Sequence, residues 1–308
     1  FSFFSPDKVV LFEPNEYMLY AVEARSTDVG IRRMSAMEEI VKGEWEAVVV
    51  SVNALMQWMP SPKDFINSFL YIKQDDVFET TELAEMLVQR GYERVSQVLS
   101  RGQFSLRGDI LDIFPATSEQ AYRIEFFDNI IDQIRMMNVN TQRSGDTVGS
   151  VKILPARENL VFDAYHEIKV LDKIQRSLER LTASLKERGK TGQARKIELN
   201  VKSDMEKLAS RGTFPGYDRY IPFILGNEFT LLDYMEDVLV FMDDPDRMEA
   251  TVNTVIEDHA RICDSISEKK GLLSETYGMH MDFPTLDRMT GKFPKVELVA
   301  TDKADFSV

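Results

Sequence analysis

The spacing of apolar positions changes along this chain, and each change marks a different kind of unit. Residues 8–12 (KVVLF) form a short apolar run. After a polar, proline-containing loop, DVGIRRMSAMEEIVKGE puts Ile31, Met34, Met37, Ile40 and Val41 on one helical face, and Gly43 ends that helix. WEAVVVSV is then a nearly continuous β-branched run, predicted to be a strand buried on both faces, with NALMQWM after it. Strand, helix, buried strand is the order of a parallel α/β unit.

The two prolines of MPSP (59–62) interrupt regular structure, and the pattern beyond them differs. FLYIKQ reads as a strand. TTELAEMLVQRG reads as a short helix with Leu83, Met86 and Leu87 inward and Gly91 as its stop. YERVSQV, QFSLRGDILDIF, AYRIEFF and IIDQIRMM follow as strands with turn-length gaps, and Asp128-Asn129 is a hairpin turn between the last two. The prediction is a small α+β module, an antiparallel sheet with one helix. After LPAREN (154–159), Leu171, Ile174, Leu178, Leu181 and Leu185 recur at steps of three and four. GKTG interrupts the stripe, and Ala194, Ile197, Val201, Met205 and Leu208 resume it, as in a helical hairpin. From Gly212 onward the pattern returns to α/β: EDVLVFMDDPDRM as a buried strand ending in acids, EATVNTVIEDHARICDSISEKKG as a helix, and KVELVA as a strand.

Composition narrows the function classes. The chain has 308 residues with 51 Asp+Glu against 37 Lys+Arg, a net charge of -14, so it does not coat nucleic acid as a whole. The outer faces of the helical hairpin are the exception, carrying more Lys and Arg than Asp and Glu, and the segment Lys186–Lys202 is a candidate nucleic-acid contact. A single cysteine, Cys263, provides no disulfide framework and points to a reducing cytoplasm. With His166, His259 and His280 scattered along the chain, no zinc cage is expected, and these four are read as ordinary surface or core residues. No apolar run approaches the ~20 residues that cross a bilayer, so no membrane partner is expected. The opening FSFFSPDKVVLFEP has no basic n-region and starts at Phe1, which suggests a fragment of a longer protein.

Candidate chemistry is sparse. ERGKT (187–191) holds the GKT of a phosphate-binding loop, but position 184 is Ser where that loop needs Gly, and a charged helix precedes it; a turn between helices is the better reading. TGKF near residue 291 fails in the same way. VLVFMDDPDRM ends an apolar strand in Asp243-Asp244, where a Walker B acid would hold Mg²⁺, yet no phosphate-cradling loop accompanies it. No nucleophilic triad assembles, and no catalytic residue, cofactor or metal ligand is assigned. What remains is the sheet. Period-two counting puts Tyr122, Ile124 and Phe126 on one face and Arg123, Glu125 and Phe127 on the other, with Arg107 beside Gly108 in the preceding strand. Two readings fit. Either a partner covers an outward Arg and Phe, or Arg123 pairs with a cross-strand carboxylate and Phe127 tucks under a loop.

The stretch RGQFSLRGDILDIFPATSEQAYRIEFFDNIIDQIRMMNVNTQRS resembles the domain-2 signature of a family that includes the nucleotide-excision-repair protein UvrB and the transcription-repair coupling factor Mfd. That signature runs roughly RG-x-F-x-x-RG-x-hhDIFP, then hRIEFF, then T-x-RS. FFSPDKVVLFEP through VVVSVNALM is similar to the later part of domain 1A. GYDRYIPFI and FTLLDYMEDVLVFMDDPDRM are similar to the part of domain 1B that carries a Walker B in UvrB. Two departures point to the coupling-factor branch. FEPNEYMLYAVEARSTDVGIRR is short, with Tyr17 and Tyr20 where UvrB has a tyrosine-rich clamp, and Asp-Asp-Pro replaces Asp-Glu-Ser.

The resemblance implies a degenerate P-loop (RecA-like) α/β fold split in sequence: residues 1–62 as partial domain 1A, 63–153 as the inserted domain 2, and 154–308 as domain 1B. It implies that domain 2 binds UvrA through Arg107, Arg123 and Phe127. It further implies that a C-terminal domain of the full-length protein masks this face. RNA polymerase and DNA would be engaged by other domains, and ATP with Mg by a separate motor, so this fragment would be a non-enzymatic adaptor. The alternative is a damaged-DNA-binding ATPase module like UvrB.

Overall fold

A computed structural model of the protein describes residues 8–19, 28–158, 164–211, 214–270 and 272–299. Residues 20–27, in the short segment compared above with the tyrosine-rich clamp, lie outside the described residues.

The N-terminal unit runs β1 (Val9–Phe12), α1 (Asp28–Lys42), β2 (Ala47–Val50), α2 (Val52–Leu55) and α3 (Pro62–Asn67). β1 and β2 pair in parallel, Val9 opposite Ala47, as the strand–helix–strand pattern requires. Gly43 ends α1 at φ +72°, a conformation that costs a side-chain-bearing residue strain. Ser61 caps α3 by accepting from the Asp64 backbone N–H, with Pro62 at its first turn. One expectation fails: β2 is not buried on both faces, for Val49 and its neighbour Leu11 are exposed.

The inserted unit opens with β3 (Leu70–Lys73), α4 (Thr80–Gln89) and the short β4 (Glu93–Arg94). β5 (Gln103–Arg107), β6 (Ile110–Phe114), β7 (Ala121–Phe127), β8 (Ile130–Asn138), β9 (Arg143–Val148) and β10 (Ser150–Ile153) follow. β4 to β9 form one six-stranded sheet in chain order, antiparallel except for β4–β5, while β10 returns to pair with β3. QFSLRGDILDIF, read as a single strand, is two: the chain reverses at Gly108 (φ +58°), and Arg107 pairs with Ile110 across the turn. Asp128-Asn129 forms the hairpin turn expected of it, with Asp128 at φ +62°. Leu83 and Leu87 of α4 pack on Phe104, Leu111, Ile113, Ile124 and Ile134 to make this unit's core. The core begins at Leu70. Phe65 and Phe69, beyond the boundary drawn at residue 63, pack in the first core.

The third stretch begins with α5 (Ala164–Glu187) and α6 (Thr191–Arg211), the helical hairpin. The GKT of ERGKT is its turn. Gly189 (φ +73°) donates to the Lys186 carbonyl and Lys190 to that of Leu185, so these glycine and lysine N–H groups satisfy the end of α5. α7 (Ile221–Leu225), β11 (Val240–Asp243), α8 (Pro245–Lys270), α9 (Phe283–Thr290) and β12 (Lys295–Leu298) complete the chain. β11 and β12 are a second parallel pair. β11 was expected to be buried, but Met242 alone of its four residues is, and Phe241 is exposed.

Two connections position the inserted unit. The first core draws Phe12, Met34, Met37 and Phe65 from one side of the insertion and Leu154, Leu231, Val252, Met281 and Leu286 from the other, so both chain segments build a single interior. Arg33 on α1, fully buried, reaches Glu158 just past β10, with Nε to Oε2 at 2.7 Å and Nη2 to Oε1 at 2.8 Å. Burial opposes the charge on Arg33 and Glu158 more than restores it, so its pKa is raised. Phe12 lies under the guanidinium at 4.1 Å. Lys152 of β10 reaches Glu38 of α1 at 3.1 Å. No helix among the described residues is long and apolar enough to cross a membrane.

Candidate functional site

The predicted site residues lie where β5, β6, β7 and β8 run side by side. Cross-strand register places Ser105, Asp112, Arg123 and Arg135 in one row on the face away from α4. A carboxylate in the middle of a strand flanked by leucine and isoleucine needs partners, since an unpaired buried charge is costly. Asp112 is only 1% exposed at its side chain and has them. Arg123 donates from Nε to Oδ1 at 2.6 Å and from Nη2 to Oδ2 at 2.9 Å, and Arg107 donates from Nη2 to Oδ2 at 2.9 Å. One carboxylate thus holds both guanidiniums, and the hydrogen bonds that Arg123 donates to Asp112, against a smaller desolvation cost, raise the Arg123 pKa.

Arg123 therefore does not project freely into solvent. Its side chain is 16% exposed, against 55% for Arg107. The turn after β8 lies over it, with the Gln142 carbonyl and the Ser144 hydroxyl each 3.4 Å from Nη1. Val98, Ala121 and Met137 make a small apolar cluster beside it. The second reading holds for Arg123 and fails for Phe127: the cross-strand carboxylate exists and holds Arg123, but no loop covers Phe127, which is 76% exposed. Phe127 stands at the end of β7 beyond a register shift between Glu125 and Phe126. Ile130 is opposite it on β8, and Val77 bridges to Ile130 from the β3–α4 segment. All three are exposed, as is Ile110 next to the Gly108 turn. The site is an apolar strip at the hairpin ends with Arg107 at its margin and an ion-paired Arg123 behind. Arg107, half in solvent and with donors to spare, can meet a carboxylate or carbonyl of another molecule.

The sequence reading missed Asp112, Val77 and Ile130. Asp112 had a signal: an acid inside ILDIF. Val77 had none, because its place beside Ile130 depends on a contact between residues distant in sequence.

Of the acidic pair at the end of β11, only Asp244 is occupied with structure. Asp243 is exposed, while Asp244 (φ +57°) donates its N–H to the Leu298 carbonyl at 2.8 Å and accepts from the Arg247 N–H at 3.2 Å, capping α8. Among the described residues no three His, Cys, Asp or Glu side chains are grouped to hold a metal ion. Three residues read as scattered do meet. Cys263 Sγ is 3.4 Å from His259 Nε2, and the rings of His259 and His280 are 5.0 Å apart. His259 Nε2 also lies 2.8 Å from the Thr276 carbonyl oxygen. Burial, with Asp264 adding, pushes the Cys263 thiol up to about 11, so it is not a ready nucleophile. Burial first, and His259 second, bring His280 down to about 4.

Comparison with known proteins bears on the same inserted unit. Residues 70–159 match the UvrB interaction domain, a span that starts where the second core starts. The chain is 30% identical over 268 residues to the transcription-repair-coupling factor of Bacillus subtilis, covering 87% of this chain and 22% of that protein. It is 26% identical over 297 residues to the coupling factor of Staphylococcus aureus (strain bovine RF122), covering 92% of this chain and 24% of that one. It is 28% identical over 251 residues to UvrABC system protein B of Pseudothermotoga lettingae, covering 79% of this chain and 38% of the relative. The chain thus spans less than half the length of each of these proteins.

Proposed function

We propose, on the premise that the chain carries a UvrB interaction domain and is homologous over most of its length to transcription-repair-coupling factors and to UvrB, that it is an adaptor module whose inserted sheet docks UvrA during nucleotide excision repair. The observation that carries this reading is Phe127, exposed to 76% at the end of β7, on a sheet whose Arg107 guanidinium is held by a buried acid. A large aromatic left in water costs solubility, and with Arg it makes the residue pair that dominates protein interfaces.

The remaining parts of the reading follow from the same premise. The two parallel strand pairs and the core shared by residues on both sides of the insertion support a RecA-like α/β fold split in sequence. The reading assigns the module no nucleotide hydrolysis, which the use of GKT as a helix end and of Asp244 as a cap supports. ATP and Mg, DNA and RNA polymerase belong to other domains of the full-length protein, and a C-terminal domain covers the Phe127 face until the protein is engaged.

Affinity capture of UvrA on the immobilised chain tests the proposal. Arg107→Ala and Phe127→Ala, folded by circular dichroism, should each lose most of the captured UvrA. Capture at the unaltered level by both would refute the docking site. ATP binding by the chain in calorimetry would instead favour a damage-binding ATPase like UvrB.

A further inference from the structure

The helical hairpin carries a feature that UvrA docking does not use. A cavity of about 310 Å³ lies between α6, the turn Tyr217–Tyr220 and the segment 272–276. α6 contributes Lys196, Asn200, Ser203 and Lys207, spaced four, three and four residues apart and so stacked along one face. Arg219 and Thr276 line the other side.

The charges in this cavity are unequal. Lys196, Lys207 and Arg219 line it with one buried acid, Asp204, which already accepts three hydrogen bonds. It receives Lys207 Nζ at 3.0 Å, Arg219 Nη2 at 2.7 Å and the Tyr220 hydroxyl at 2.9 Å. That network fixes the Arg219 guanidinium without using all of it. Arg219 Nε is buried and has no hydrogen-bond partner. Buried N–H groups are paired in nearly all folded proteins, so an unpaired guanidinium N–H at the wall of a cavity of net positive charge leaves a donor for an acceptor.

We propose that this cavity binds a phosphate group. Ammonium, amide, hydroxyl and guanidinium donors converge from two sides, which suits a tetrahedral anion with oxygens in several directions better than a flat carboxylate. The volume sits at the lower end of the range for ligand pockets, roughly 300–1,000 Å³, so it takes a phosphate or one phosphodiester unit. The group comes either from free phosphate or from the backbone of a nucleic acid strand lying along the basic face of α6.

The test titrates the ¹⁵N-labelled chain with sodium phosphate at constant ionic strength, with chloride as control, and follows the arginine Nε–H resonances. Arg219→Lys identifies the Arg219 signal by its disappearance. That signal should move saturably, with a Kd of about 1 mM or below. Lys196→Gln, a change at the cavity wall outside the Asp204 network, should weaken binding by about fivefold or more, the scale of one charge-assisted hydrogen bond. A single-stranded oligonucleotide that moves the same signal and is displaced by phosphate assigns the group to nucleic acid; one that does neither assigns it to free phosphate. If the folded chain shows no saturable movement of any Nε–H signal, or if Lys196→Gln binds phosphate as the unaltered chain does, the proposal is overturned.

Discussion

Asp112 is 1% exposed, so no partner can touch it, yet it holds both arginines of the docking face. Replacing it with asparagine keeps the volume and removes the charge. The Arg123 pair is bidentate and mostly buried, and two charge-assisted bonds are worth about 1.5–3 kcal/mol each. Asparagine still accepts one of them through its carbonyl oxygen. Arg107 is half in solvent and its contact adds at most about 1 kcal/mol. The net loss is about 2–3 kcal/mol of stability in the inserted domain. With a urea m-value of about 1–3 kcal/mol/M, the midpoint of that domain's transition falls by roughly 1 M. Binding should also weaken, by about tenfold, because Arg107 and Arg123 lose their fixed directions while keeping their charges. Asp112→Asn should therefore be measured twice, by urea unfolding and by titration with UvrA. Removing a negative charge makes the face more basic, so an unchanged or tighter complex would mean that charge alone, and not orientation, governs docking. A midpoint within error of the unaltered chain would refute the energetic argument as well.

The other substitutions separate binding from folding. Phe127→Ala should leave stability in urea unfolding within about 0.5 kcal/mol of the unaltered chain, since the ring is exposed, and cost UvrA affinity about 2 kcal/mol or more in calorimetry. Arg123→Ala should differ by lowering both, because it strands the buried Asp112. Glu158→Ala leaves Arg33 charged in an apolar interior and should cost about 3–5 kcal/mol, read from the fluorescence of Trp58, which packs in the same core. For His280 the folded pKa lies below the unfolded one, so the unfolded chain binds the proton more readily. Its contribution is complete above pH 6.5 and lost as pH falls toward about 4. At about 1.4 kcal/mol per unit the loss is at most about 3.5 kcal/mol, and His280→Gln should flatten the stability profile across that interval.

What could be read from sequence was local. The heptad-like steps of α5 and α6 and the face of α1 repeat within a few residues, and each became a helix with the expected residues inward. The Asp128-Asn129 turn was legible for the same reason. Gly108 was not, because Arg107-Gly108-Asp109 sits between two apolar runs that also suit one long strand. β9, reading RSGDTV, is almost wholly polar and pairs only as an edge. Burial of β2 and β11 was overstated because a β-branched run records what a strand tolerates, not what covers it. At the site, period two found Arg123 and Phe127 on one side, and the bulge after Glu125 then gave them different surroundings. A cross-strand carboxylate for Arg123 was one of the two readings of the pattern, but that Asp112 supplies it depends on strand register.

The inserted domain meets α1 at two fixed points, Arg33 with Glu158 and Lys152 with Glu38. A hinge needs a joint that turns without breaking contacts, and the buried Arg33–Glu158 bond cannot swing far without stranding a charge. Force applied at the Phe127 strip is thus carried into α1 as through a bracket. A molecule seated there would travel with the rest of the protein as one body, held at a set angle instead of trailing on a tether.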